Sequence, residues 1–178
     1  YNRFGGYYGF ENSMASCMGT IKSGNRIFTV AEPKAYSLAS TLLHEVWCIS
    51  DSTGLLLWKL NINNCWIVRI ADYSDTSIIA ITRASSIYNS FISRYDYHLI
   101  HKYTGALIYS KHFGDAGVSL INEANVFVDN NKNILLSWDD TCRKFRDDRL
   151  NQLLWTSHIP YNGSLKMIDV VRQSDNRY

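Results

Sequence analysis

The chain has 178 residues, of which 46% are apolar and 19% charged, and a formal net charge of +2. That length suits one domain or one repeat assembly, and the near-neutral balance lacks the basic excess of a nucleic-acid binder. No window approaches the roughly 18 consecutive apolar residues of a membrane-spanning helix, and there is no signal-peptide or lipidation motif.

Tyrosine, tryptophan and isoleucine are prominent and there are only two prolines, a composition that favours strands. No long window shows the 3.6-residue apolar period of a helix. The first 16 residues, opening "YNRFGGYYGFEN", read as an irregular arm. The opening Tyr1 in place of Met leads us to expect a processed or trimmed chain, or a part of a longer one. Residues 18–31, "MGTIKSGNRIFTVA", then read as two short strands around a polar turn at 22–26. A hairpin follows at 48–58, "CISDSTGLLLW", with its turn at Thr53-Gly54 and a tryptophan on the returning strand.

The same order of signals recurs. Residues 66–83, "WIVRIADYSDTSIIAITR", give a second strand pair with its turn at 72–76, and "FISRYDYHLIHK" leads into "LIHKYTGALIY". Residues 125–138, "NVFVDNNKNILLSW", give a third pair with its turn at 129–133, and "CRKFRDDR" leads into "RLNQLLWTSHI". On this alignment Trp58, Tyr109 and Trp155 correspond, spaced 51 and 46 residues apart. Leu150-Asn151 stands at the third turn where the first two have Thr-Gly, and the asparagine is expected to take the left-handed conformation there.

Each unit therefore reads as four short strands, A to D, in a meander. A repeated four-stranded unit of roughly 40–50 residues is the sequence mark of a β-propeller. The predicted fold is all-β: a propeller-like array of about three four-stranded antiparallel blades plus part of a fourth. The blades fall near 17–62, 65–113 and 118–159. A partial blade at 160–178 takes its inner strand from "SLKMIDVV", residues 164–171. Closed propellers have about four to eight blades, so this count leaves three routes to closure: a longer chain, pairing of the N-terminal arm with the last strands, or other subunits. An ordinary β-sandwich is the rival architecture.

At "STGLLLW" the sequence resembles the quinoprotein-type, or pyrroloquinoline-quinone-like, propeller repeat, whose pattern is Ala-x-Asp-x-x-Thr-Gly-Lys-x-x-Trp. Thr53, Gly54 and Trp58 match the turn and the docking residue, whereas Cys48, Ser50 and Leu55 replace alanine, aspartate and lysine. The second copy keeps Thr104 and Gly105 and has Tyr109 for tryptophan; the third keeps Asp147 and Trp155. The resemblance implies a propeller in which that aromatic docks on the next blade. The family includes quinone-dependent dehydrogenases, whose sites use calcium ligands and, in many members, adjacent cysteines; no adjacent cysteine pair occurs here. The family also has non-enzymatic members, and fold alone does not confer activity.

Other patterns are weak. Asp129, Asn131, Asn133 and Asp140 fall at positions 1, 3, 5 and 12 of a calcium loop, but Ile134 stands where glycine is required. The stretch is expected to be a strand-connecting turn. His98 and His101, three apart on a strand, are expected on opposite faces. His112 and His158 follow the strand D aromatics and are expected in structural roles. Cys17, Cys48, Cys65 and Cys142 lack the spacing of a zinc site and read as buried small apolar groups. A Cys48–Cys65 disulfide is compatible with the sequence. Residues 142–149 are expected to form an exposed strand C and its turn, with charges that blunt a sheet edge. Asn162-Gly163-Ser164 meets the glycosylation sequon.

No catalytic, cofactor-binding or metal-binding residue is assigned, and the compartment is left undetermined. The leading expectation is a non-catalytic propeller that mediates protein–protein contacts or self-assembly, a structural subunit of a larger assembly such as a virion or cell-surface complex. It has no nucleic-acid partner and no membrane span. A fragment of a quinone-dependent dehydrogenase and a small-ligand-binding propeller are the alternatives.

Overall fold

The computed structural model describes residues 19–31, 44–62, 65–85, 92–117, 124–138 and 140–158. The N-terminal arm, Cys17, the segment 164–171 and the sequon lie outside them. Twelve strands form three four-stranded antiparallel sheets, with no helix among the described residues. The first sheet is β1 (Thr20–Ser23), β2 (Arg26–Ala31), β3 (Glu45–Ser50) and β4 (Leu56–Asn61). The second is β5 (Trp66–Asp72), β6 (Ser77–Ser85), β7 (Ile92–His101) and β8 (Leu107–Gly117). The third is β9 (Asn125–Val128), β10 (Ile134–Trp138), β11 (Thr141–Phe145) and β12 (Leu153–His158). Each is a simple meander in which consecutive strands pair, so each sheet has the form of a propeller blade.

The stacking of these blades follows from the strand pattern. Ile78 to Ile81 are four consecutive residues with no solvent exposure, and in a strand they must alternate between faces. Ile78 and Ala80 join Ile67, Ile70 and Ile100 in a core with Phe28, Val30, Val46 and Cys48 of the first blade. Ile79 and Ile81 join Tyr95, Tyr97 and Leu99 in a second core with Ile134, Leu136, Trp138 and Phe145 of the third. The middle blade is thus apolar on both faces because both are covered. Blades 1 and 3 sit on opposite sides of it and share no core.

The expectation of an exposed strand C at residues 142–149 is corrected by the structure. Strand C of the third blade, β11, is flanked by β10 and β12. Cys142 and Phe145 are buried, and Arg143 lies 5.1 Å over the Trp138 ring. Its charges therefore do not guard an edge. Strand D, β12, is an edge strand that begins with the apolar Leu153-Leu154-Trp155, and every one of its residues is exposed.

Candidate interaction surface

The Thr-Gly turns are the same device twice. In the first, the Gly54 and Ser50 amides donate to the carbonyls of Ser50 and Leu55, both at 2.9 Å; in the second, those of Gly105 and His101 donate to His101 and Ala106, at 2.9 and 2.8 Å. The threonine hydroxyl accepts from the amide two residues on, Leu55 to Thr53 and Ala106 to Thr104. Gly54 and Gly105 have φ of +70° and +71°, the left-handed region that glycine enters without steric cost. The third turn differs from expectation. Leu150, at φ +54°, takes the left-handed conformation, and Asn151 does not. Leu150 is held there because its side chain is buried in the core between blades 2 and 3. Asp147 accepts the amides of Arg149, Asn151 and Gln152. Partial burial raises its carboxyl pKa, but these three donors together with Lys111 outweigh it, so the pKa lies below the ordinary value.

At the first joint the Trp58 ring packs near Phe28, with centroids 5.8 Å apart, and its Nε1 donates to the Lys102 carbonyl of the next blade at 2.8 Å. The indole lies on Gly105: a Cβ added there would stand 2.8 Å from two ring carbons. Buried Lys102 fastens the same joint, pairing with Asp72 at 2.5 Å and Ser23 Oγ at 2.6 Å, while Arg26 lies 4.7 Å over the Tyr103 ring. A polar hollow of about 240 Å³ opens among Ser23, Arg26, Asp75, Lys102 and Tyr103. Its buried cation is already neutralised by Asp72, and the hollow reads as the seam of the joint.

The second joint uses the same positions with different chemistry. Tyr109 packs against the second core, with Arg149 5.9 Å over its ring. The polar link moves two residues along, where Lys111 Nζ donates to the Leu150 carbonyl at 2.8 Å. The third aromatic, Trp155, remains 37% exposed.

A further recurrence was not visible in the sequence. In each sheet the register slips between strands C and D beside the aromatic, at Cys48/Ile49, Leu99/Ile100 and Lys144/Phe145, and the second sheet slips again at Tyr95/Asp96. The bulged residues, each just before the aromatic, are Leu57, Ile108 and Leu154. A bulge re-aims the residue beside it and interrupts a ladder. Here it turns the aromatic onto the blade face and leaves an apolar residue outward. Leu55, Leu56, Leu57, Leu107, Ile108, Leu153 and Leu154 are all exposed large apolar side chains. Each blade thus carries an apolar ridge on its outer strand.

The other candidate residues are occupied in structure. Asp129 Oδ1 accepts the amides of Asn131 and Asn133, both at 2.9 Å, and Oδ2 pairs with Lys144 at 2.9 Å. Asp140 instead accepts from Thr141 Oγ1. The stretch is a turn, and no group of three or more metal-ligating side chains occurs among the described residues. His98 is buried, with Nε2 2.8 Å from Thr82 Oγ1 and Nδ1 2.8 Å from Ser110 Oγ. Burial lowers its pKa to about 4 against the opposing pull of Asp96. His101 bonds Thr104 within its turn. His112 Nδ1 donates to the Tyr95 carbonyl, and the exposed His158 ring lies 3.4 Å from Thr141 Oγ1. His44 Nδ1 accepts the Ile67 amide. Cys48, Cys65 and Cys142 are free thiols, which corrects the Cys48–Cys65 disulfide. No protein-family model matches the chain, and no curated protein matches it.

Proposed function

We propose that this chain is a non-catalytic, propeller-type scaffold whose role is protein–protein contact within a larger assembly. The observation that carries this reading is the apolar ridge on strand D, present at the same bulged position in all three blades. Contiguous exposed apolar surface is costly to leave in water and marks interaction sites. The turn chemistry and the buried lysine serve the blade joints, the histidines bond mostly within their own blades, and the ridge is what these leave unexplained.

The test is the assembly state of the native chain by light scattering or native mass spectrometry. A variant carrying Leu57→Lys, Ile108→Lys and Leu154→Lys is then compared with it. The reading expects a defined assembly that the triple variant loses while keeping its circular-dichroism spectrum and melting temperature. An assembly that survives the triple substitution would show that the ridge is not the contact surface.

A further inference from the structure

Each internal joint has two halves. One blade supplies a strand D aromatic, and the next supplies a C–D turn whose left-handed residue receives it. Trp58 meets the turn at Gly105 in this way, and Tyr109 with Lys111 meets the turn at Leu150. Among the described residues the array therefore ends in two unmatched halves. Trp155 on the third blade is an exposed aromatic on an exposed strand. The turn at Gly54 on the first blade is exposed, and a Cβ added at Gly54 meets nothing within 4 Å. Because blades 1 and 3 pack on opposite faces of blade 2, these halves lie at opposite ends of one copy.

From this complementarity we infer that two copies of the chain associate head to tail, with Trp155 of one copy seated on the Gly54 turn of the other. The proposal rests on the scaffold reading and names its partner. Gly54 has the same hydrogen bonds and the same φ as Gly105, the glycine that receives an indole inside the chain. The contact is thus a continuation between copies of an interface already built within one. Two copies would bring together six of the described blades, within the range of about four to eight that closes a ring. The contact is heterologous, so both copies use the same two different surfaces.

Sedimentation equilibrium of the full chain tests this. The expected mass rises with concentration from 20.4 kDa towards twice that value. Trp155→Ala removes the donor half. Gly54→Asn keeps the left-handed turn but places a side chain where the indole would lie. Each is expected to weaken association by about 30-fold or more, as for a central interface tryptophan. The two variants mixed should associate more tightly than either alone, because the mixture retains one intact Trp155–Gly54 contact per pair. A symmetric face-to-face interface would show no such rescue, and its absence overturns the proposal. A chain that stays monomeric to about 100 µM also overturns it. So does association unaffected by Trp155→Ala. In that last case, loss of association in the ridge triple variant would leave the scaffold reading standing on a different surface.

Discussion

The indole of Trp58 rests on the backbone of Gly105, 47 residues further along the chain, and donates its N–H to the carbonyl of Lys102 three residues before that glycine. One side chain thereby reads two properties of the next blade's turn: the missing Cβ and the direction of a carbonyl. The joint is specific because both are set by the turn's own hydrogen bonds.

Trp58→Ala is expected to destabilise the chain by about 2–4 kcal/mol, less than a fully buried tryptophan would because its edge reaches solvent. Gly105→Ala carries two penalties: about 1–2 kcal/mol for the left-handed conformation and the clash with the ring. In the Trp58→Ala background only the first remains. Denaturant melts of the two single variants and the double variant measure this. Strict additivity of the two losses would mean that the ring does not sit on the glycine.

Leu150 gives a sharper test of what holds a turn. A leucine at φ +54° is strained, so Leu150→Gly relieves about 1–2 kcal/mol of backbone cost. It also deletes a side chain buried to 3% exposure, which costs about 2–5 kcal/mol. Burial wins, and the variant is expected to lose about 1–3 kcal/mol in urea melts. A gain in stability would show that the side chain does not pack in the core between blades 2 and 3.

These cases show where the sequence was readable. Glycine at a hairpin turn has one dominant reason to be there, so Thr53-Gly54 and Thr104-Gly105 announced both the turn and its geometry. The strand pairs around 22–26, 72–76 and 129–133 were equally plain, because polar turn residues interrupt apolar runs. At the third turn the local preference of Asn151 pointed one residue too far, since the burial that holds Leu150 left-handed is a property of the packed blades. The bulges at Leu57, Ile108 and Leu154 were hidden because they exist only in the register of two strands. They also break the alternation by which Leu55 to Leu57 could have been sorted into buried and exposed. The charges of residues 142–149 suggested a wet strand, yet Arg143 stacks on Trp138 and Lys144 pairs with Asp129. Charge alone cannot report that its partners are inside the fold.

Cys48 and Cys142 should behave as inert packing groups. Burial raises the thiol pKa of Cys48, partly offset by Arg26, and pushes that of Cys142 up to about 11. At pH 8 about one molecule in a thousand then carries a Cys142 thiolate. Thiol labelling followed by peptide mass spectrometry should leave Cys48 and Cys142 unmodified in the native chain and modify both in denaturant. The melting temperature should not change with reductant, since Cys48 and Cys65 are free thiols. Rapid native labelling of Cys142 would contradict its burial in β11.

His98 makes stability depend on acid. In the native state its ring is neutral, bonded to Thr82 and Ser110, with a pKa of about 4; in the unfolded chain its pKa returns to about 6.5. Between these values the unfolded state binds more protons than the native state. Stability therefore falls as pH falls through this window and is fully retained above it. The loss from this group is about 1.4 kcal/mol per pH unit, about 3 kcal/mol in total. Asp96, the charged neighbour, opposes the shift without reversing it. His98→Asn keeps a polar side chain at the site but cannot titrate. It should start less stable at pH 7.5 and lose less stability than the parent between pH 6.5 and 4. Urea melts across that range measure the difference, in which titrations common to both chains cancel. Parallel curves would mean that His98 accepts its proton in the folded chain as readily as in water, and that the Thr82–His98–Ser110 bridge is open to solvent.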